Sequence, residues 1–225
     1  MLDHLAAMGI TRYRERGAPT PLPVTSVPEQ AAPMTQTTLP SLAEQVSQCE
    51  DCALCETRTQ TVFGVGNPTA DLLVVGEAPG FYEDKQGEPF VGKAGQLLDA
   101  MLKSIGLSRE TIYIANVLKC RPPENRDPTP EEVAQCTPYL EKQVELIQPK
   151  IIVAVGRVAA HYLLQTTTPL SGMRQIEHTF RNTGIPLFVT YHPAYLLRNP
   201  ADKRLAYQDL LQIQKALAAT LSSRT

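Results

Sequence analysis

The 225-residue sequence has no apolar run near the roughly 18 residues that a membrane-spanning helix needs, so no membrane role is expected. Its first ten residues, M-L-D-H-L-A-A-M-G-I, carry Asp3 and His4 and no long apolar stretch, so no secretory signal is expected either. An excess of one charge is also missing. Lys and Arg number 21, Asp and Glu 23, and the net charge is -2. Proteins that coat long stretches of nucleic acid are strongly basic, so broad electrostatic wrapping is excluded, although a small local footprint is not. There is no G-x-S-x-G elbow to support serine hydrolase chemistry and no internal repeat. The segment Gly87-Glu-Pro-Phe-Val-Gly92-Lys93-Ala94 comes close to a phosphate-binding loop. However, Ala94 stands where magnesium needs a hydroxyl, and Pro89 lies inside the loop, which excludes nucleotide hydrolysis. The turn opening at Gly92 still leaves amides able to hold a single phosphate.

What is present reads as an ordinary soluble chain, 43% apolar and 20% charged. The length suits one domain plus a tail. Residues 1–18 suit a short helix. Residues 19–40 carry Pro19, Pro21, Pro23, Pro28, Pro33 and Pro40 with Glu29 as their only charge, a composition that builds no core. The reading is therefore a Pro-rich extension over residues 1–40, either a plain tail or a docking peptide whose partner is unknown, and a folded domain over residues 41–225. Within that domain, Leu72–Val75, Ile112–Val117, Ile151–Val155 and Leu187–Thr190 are continuous, β-branched apolar runs of the kind that forms strands buried on both faces. Helical patterns lie between and after them, at 94–105, at 157–164, at 203–219, and from a Thr129-Pro130-Glu131-Glu132 start to about Ile147. This alternation predicts an α/β fold, a three-layer α/β/α sandwich.

Ligands of such sheets bind beyond the carboxyl ends of the strands. The first strand runs into Gly76-Glu77-Ala78-Pro79-Gly80, the second ends at Asn116, the third runs into Gly156-Arg157, and the fourth into Tyr191-His192-Pro193. A carboxylate, an amide, a guanidinium and an imidazole thus converge on one rim. Taken singly, each has a structural reading: Glu77 as a turn cap, Asn116 as a satisfied buried amide, His192 as a turn residue. The five cysteines fall as Cys49-x2-Cys52-x2-Cys55, then Cys120 and Cys136. In a chain without a secretory signal they suggest a cytoplasmic metal or cluster site rather than disulfides. Four sulfurs suit zinc or an iron–sulfur cluster, and the spacing alone does not choose between them.

Several blocks then coincide: Cys49-x2-Cys52; V-F-G-V-G-N-P at 62–68; G-E-A-P-G at 76–80; Glu83-Asp84 followed by G-E-P-F-V-G-K-A-G at 87–95; N-V-L-K-C-R-P-P-x-N-R-x-P at 116–128; and H-P-A-Y-L-L-R at 192–198. In this order and spacing they resemble the type-4 uracil-DNA glycosylases, the iron–sulfur branch of the uracil-DNA glycosylase superfamily, over roughly residues 45–217. The resemblance implies a sandwich around a four-stranded parallel sheet. It implies a 4Fe–4S cluster on Cys49, Cys52, Cys120 and Cys136, with Cys55 spare, and a uracil pocket of Glu77, Ala78, Pro79, Phe90, Asn116 and His192. The segment 192–198 looks like the loop that enters the duplex beside the extruded base. Lys93, Lys119, Arg121, Arg126, Leu196, Leu197 and Arg198 are the expected DNA contacts.

The residue chemistry agrees. An amide can accept from uracil N3–H and donate to O4, a pattern that cytosine reverses. A phenyl ring can stack on a flipped base. An imidazole can stabilise the negative charge that builds on departing uracil. Glu77 suits either orienting a water or offsetting the sugar cation, and Glu83 is the candidate for refusing the thymine methyl. The expected activity is monofunctional excision of uracil from DNA by a monomer, leaving an intact abasic site. A non-catalytic nucleic-acid-binding module and a redox protein are the competing readings.

Overall fold

A computed structural model describes residues 37–222; the proposed extension therefore lies almost wholly outside the described residues. In chain order the elements are α1 (Leu39–Ser47), β1 (Val65–Gly66), β2 (Leu72–Gly76), α2 (Phe81–Gln86), α3 (Lys93–Lys103), β3 (Tyr113–Asn116), α4 (Pro130–Ile147), β4 (Ile151–Val155), α5 (Arg157–Leu164), α6 (Leu170–Met173), β5 (His178–Thr179), β6 (Pro186–Thr190), α7 (Pro193–Arg198) and α8 (Lys203–Ser222).

The four apolar runs form the four central strands. They lie side by side in the order β3-β2-β4-β6, all parallel. The sheet is nonetheless six-stranded. Two-residue antiparallel strands, β1 beside β3 and β5 beside β6, extend the expected parallel sheet at both edges. Because strand side chains alternate, each central strand feeds two cores. Leu73, Val75, Ile152, Ala154, Leu187 and Val189 pack under α4 and α5. Leu72, Val74, Ile151, Val153 and Phe188 pack under α3, α7 and α8. Helices thus cover both faces, giving the three layers. No helix among the described residues is long and apolar enough to cross a membrane.

Local chemistry sets the helix that carries Cys136. Thr129 caps α4 by accepting from the Glu132 amide, while the Glu132 carboxylate accepts from the Thr129 amide at 2.9 Å, a reciprocal cap with Pro130 at the first helical position. The register fixes the rim. Gly76 pairs with Asn116 and Val155 with Thr190, so the loops that follow these strands leave the sheet side by side.

Candidate active site and cysteine cavity

Three of the expected pocket residues meet around Gly76 and Gly156. A Cβ placed on Gly76 would lie 2.4 Å from Asn116 Oδ1 and 2.6 Å from the Phe90 ring. A Cβ on Gly156 would lie 2.9 Å from His192 Cβ. The Phe90 and His192 rings are 5.7 Å apart, tilted by 33°. Bare glycines at two strand ends therefore let an amide, a phenyl ring and an imidazole close in on one another.

Asn116 is 2% exposed, and its Oδ1 is buried with no hydrogen-bond partner. Such an orphaned acceptor costs about 1–3 kcal/mol, a cost that a donor on a bound ligand would remove. Phe90 is buried with φ +56°, a region that bulky residues rarely enter. Arg109 holds it there, donating to the carbonyls of Pro89 (3.0 Å) and Phe90 while pairing with Asp99 at 2.6 Å. Gly95 is also required, since any side chain there would strike the Phe90 carbonyl.

His192 caps α7, its Nδ1 accepting from the Ala194 amide at 3.1 Å. Burial, with Arg198 adding to it against Glu83, lowers its pKa to about 4. The ring is therefore neutral near neutral pH. With Nδ1 accepting, its proton sits on Nε2, which has no partner among the described residues. Glu77 has its pKa raised to about 7 by burial and by Asp127, opposed by Arg157. Glu77, Asp127, Arg157, Tyr191, His192 and Arg198 line an open cleft of about 510 Å³. Ala78 and Pro79 continue from Glu77 along its loop, Ala78 packing on the core and Pro79 buried. Glu83 Oε1 accepts from the Val91 and Gly92 amides at 3.1 and 3.3 Å, which ties α2 to the start of α3.

The expected DNA contacts divide. Lys93, Leu197 and Arg198 are exposed, and Arg121 is half-buried. Two expectations are corrected. Lys119 is no DNA contact: it is 1% exposed, and its ammonium donates to the Asn116 carbonyl at 2.7 Å and to Gln143 Oε1 at 2.6 Å. Leu196 is 0% exposed and belongs to the α3/α8 core, so it cannot wedge a duplex. The reason is that Pro193–Arg198 is a helix, not a loop, and the helical phase turns Leu196 inward and Leu197 outward. Arg126 is engaged by the Glu132 carboxylate through both guanidinium nitrogens, at 2.9 and 2.5 Å.

Cys49, Cys52, Cys120 and Cys136 line one cavity together with Lys119, and Cys55 does not. Burial raises the pKa values of Cys52 and Cys120, and that of Cys136 to about 11. Ionising them together therefore requires positive charge among them. Two donors are already aimed at sulfur: the Lys119 amide at Cys136 (3.2 Å) and Arg58 Nη1 at Cys120 (3.3 Å), the latter also donating to the Cys49 carbonyl at 2.8 Å. Among the described residues no group of three or more His, Cys, Asp or Glu side chains is disposed to hold a metal ion. Four thiols lining one cavity are the donor chemistry shared by a four-cysteine zinc site and an iron–sulfur cluster.

Sequence reasoning missed Asp127, which flanks Glu77, along with Arg109 and Arg58. The signal for Arg58 was a cation three residues after Cys55, at the same spacing that separates the three cysteines. Arg109 is set ten residues from its partner Asp99 and gave no local signal.

The fold is a three-layer α/β/α sandwich in which an amide and an imidazole from strand ends meet a phenyl ring from the loop before α3. The chain matches the uracil DNA glycosylase superfamily over residues 63–212, and it belongs to that superfamily. Its similarity is to the type-4 branch. It is 48% identical to a type-4 uracil-DNA glycosylase of Archaeoglobus fulgidus over 169 residues, covering 72% of this chain and 84% of that one. It is 42% identical to one from Sulfurisphaera tokodaii over 185 residues, covering 79% and 84%, and 43% identical to one from Thermotoga maritima over 175 residues, covering 75% and 89%.

Proposed function

We propose that the chain is a monomeric, cytoplasmic, monofunctional uracil-DNA glycosylase that hydrolyses the N-glycosidic bond of uracil in DNA and so opens base excision repair. Residues 41–225 form the working domain, with residues 1–40 an extension from it. The observation that carries this reading is the orphaned Asn116 Oδ1 beside the Phe90 ring. Uracil N3–H is the donor this oxygen lacks, and the amide NH2 meets O4. Cytosine offers a ring acceptor and an exocyclic donor instead, so a fixed amide rejects it by about 1–3 kcal/mol.

The base must first leave the duplex, and Phe90 stacks on it once it is out. As the bond between C1′ and uracil N1 breaks, its electron pair moves onto the base. The neutral His192 donates Nε2–H to O2, where that charge collects. A neutral donor suits this role because it stabilises the anion without giving up a proton. Glu77, ionised above about pH 7, either orients the attacking water or offsets the positive sugar. The Asp127 carboxylate beside it adds negative charge on the same side of the cleft, and Leu197 and Arg198 face the DNA.

Cys49, Cys52, Cys120 and Cys136 would hold a 4Fe–4S cluster. Such a group supplies cross-linking: it would fix the segment before β2, the loop after β3 and helix α4 to one another. Cys120→Ser is expected to lose the brown chromophore and a large part of the unfolding free energy together. Full stability without the chromophore would contradict a structural cluster.

No lyase step is expected. A Schiff base needs a free amine at the sugar, and Lys119, the one buried lysine among the described residues, is engaged by the Asn116 carbonyl and Gln143. The test is incubation with a uracil-containing oligonucleotide. Strand breaks should appear only after alkali, and Asn116→Ala should suppress them. Breaks without alkali, or a borohydride-trapped adduct, would refute the monofunctional reading.

A further inference from the structure

Helix α2 carries a feature that uracil recognition does not use. Phe81 and Tyr82, at its start, are 43% and 59% exposed, their rings 5.4 Å apart and edge to face. Two cations sit over Phe81: Lys85 Nζ at 4.4 Å and the Arg121 guanidinium at 5.1 Å. Asn125 Oδ1 accepts from Arg121 Nε at 2.7 Å and sets that guanidinium's orientation. The two acids of α2 itself are engaged elsewhere: Glu83 binds the Val91 and Gly92 amides, and Asp84, buried, accepts from the Thr59 amide at 2.9 Å. The outward side chains of α2 are therefore aromatic and cationic, while Glu88 and Glu124, nearby in sequence, are also exposed. The residues of this patch come from α2, which follows the loop carrying Glu77, and from the loop that follows Asn116 at the end of β3, and Tyr82 lies beside Gly92, two residues after Phe90. Exposed aromatics beside paired cations match the chemistry of a nucleotide, a flat base next to a phosphate.

We infer that this patch seats an unpaired nucleotide of the same DNA strand, next to the extruded uracil: Tyr82 stacks on its base, while Lys85 and Arg121, held by Phe81, take its phosphate. The inference rests on the uracil-excision reading above and adds a preference for substrates whose neighbouring base is free to unstack.

The test is binding of the full chain to a single-stranded oligonucleotide carrying one 2′-fluoro-2′-deoxyuridine, which resists glycosidic cleavage, read by fluorescence anisotropy. Tetrahydrofuran abasic residues replace the flanking nucleotides one position at a time. Tyr82→Ala is expected to weaken binding about 5- to 150-fold, the range set by one base–aromatic stack, while Tyr82→Phe keeps the wild-type affinity. At one flanking position the abasic residue reproduces that loss in the wild type and adds nothing to Tyr82→Ala. Lys85→Ala combined with Arg121→Ala lowers the slope of log affinity against log salt by about 0.7 for each phosphate that is no longer neutralised. Wild-type affinity in Tyr82→Ala, or indifference of the wild type to every flanking base, overturns the proposal; a patch that docks another protein gives that result. Excision from an ordinary uracil oligonucleotide is measured alongside. Failure of the wild type there overturns the excision reading, whereas excision together with unaltered DNA binding by Tyr82→Ala overturns this proposal alone.

Discussion

Gly76→Ala probes the site with a single methyl group. Gly76 ends β2 outside the left-handed region, so alanine suits its backbone. The added Cβ would nevertheless stand 2.4 Å from Asn116 Oδ1 and 2.6 and 2.9 Å from two Phe90 ring carbons, where ordinary contact begins at 3.4 Å. Both groups must retreat by about an ångström, and a misplacement of that size costs roughly 100-fold in rate. Phe90 cannot yield through its backbone, which Arg109 and the Gly95 contact hold in place, so the displacement falls on the ring and on the Asn116 amide. Overpacking also costs about 1–3 kcal/mol of stability. The assay is single-turnover excision from a uracil oligonucleotide, with urea unfolding to separate the two effects. The expectation is a folded protein whose excision is slowed about 100-fold. A folded variant within about twofold of the wild-type rate would refute the idea that Asn116 and Phe90 bind the base together.

Other outcomes follow from the same geometry. Glu77 has its pKa raised to about 7, so if the proposed carboxylate role holds, excision should rise with pH around that value, and Glu77→Gln should be slow and lack this limb; a wild-type rate that falls across the same range would contradict that role. The neutral His192, with its pKa lowered to about 4, contributes nothing to that limb. For stability the sign is opposite. The folded Glu77 holds its proton to higher pH than the ordinary value of 4.5, so stability contributed by this group falls between about pH 4.5 and 7, and Glu77→Gln should be more resistant to urea than the wild type above that window. Lys119→Met should cost about 1–3 kcal/mol per acceptor it orphans, yet leave the salt dependence of DNA binding unchanged. Arg198→Ala should reduce that slope by about 0.7–0.9, and a similar reduction in Lys119→Met would show that Lys119 reaches DNA after all.

The central strands were legible because a strand buried on both faces needs an unbroken apolar run, and Ile151–Val155 and Leu72–Val75 are such runs. Helix α4 was legible because its start is written locally, in Thr129, Pro130 and Glu132. The short helix α2 was not: Phe81–Gln86 is too brief and too polar to show a period and is bounded only by Gly80 and the left-handed Gly87. The two-residue edge strands carry no pattern at all. Lys119 misled because a lysine is ordinarily exposed; its burial depends on Gln143, a partner 24 residues away that no local rule finds. Leu196 misled through the choice of element, since reading 193–198 as a helix separates it from Leu197 at once. The placement of Glu77, Asn116 and His192 at strand ends was legible because each ends or closely follows an unbroken apolar run. The strained Phe90 backbone and its Arg109 brace depend on contacts that only the folded chain creates.

The most direct measurement compares wild type and Asn116→Ala for single-turnover excision of uracil from oligonucleotides that differ only in the target base. The wild type should remove uracil and spare cytosine, and losing the amide should lower the uracil rate by about 5- to 150-fold, the equivalent of one bidentate base contact. An Asn116→Ala protein that excises uracil at the wild-type rate, with its selectivity intact, would mean that the unpaired oxygen beside Phe90 does not read the base.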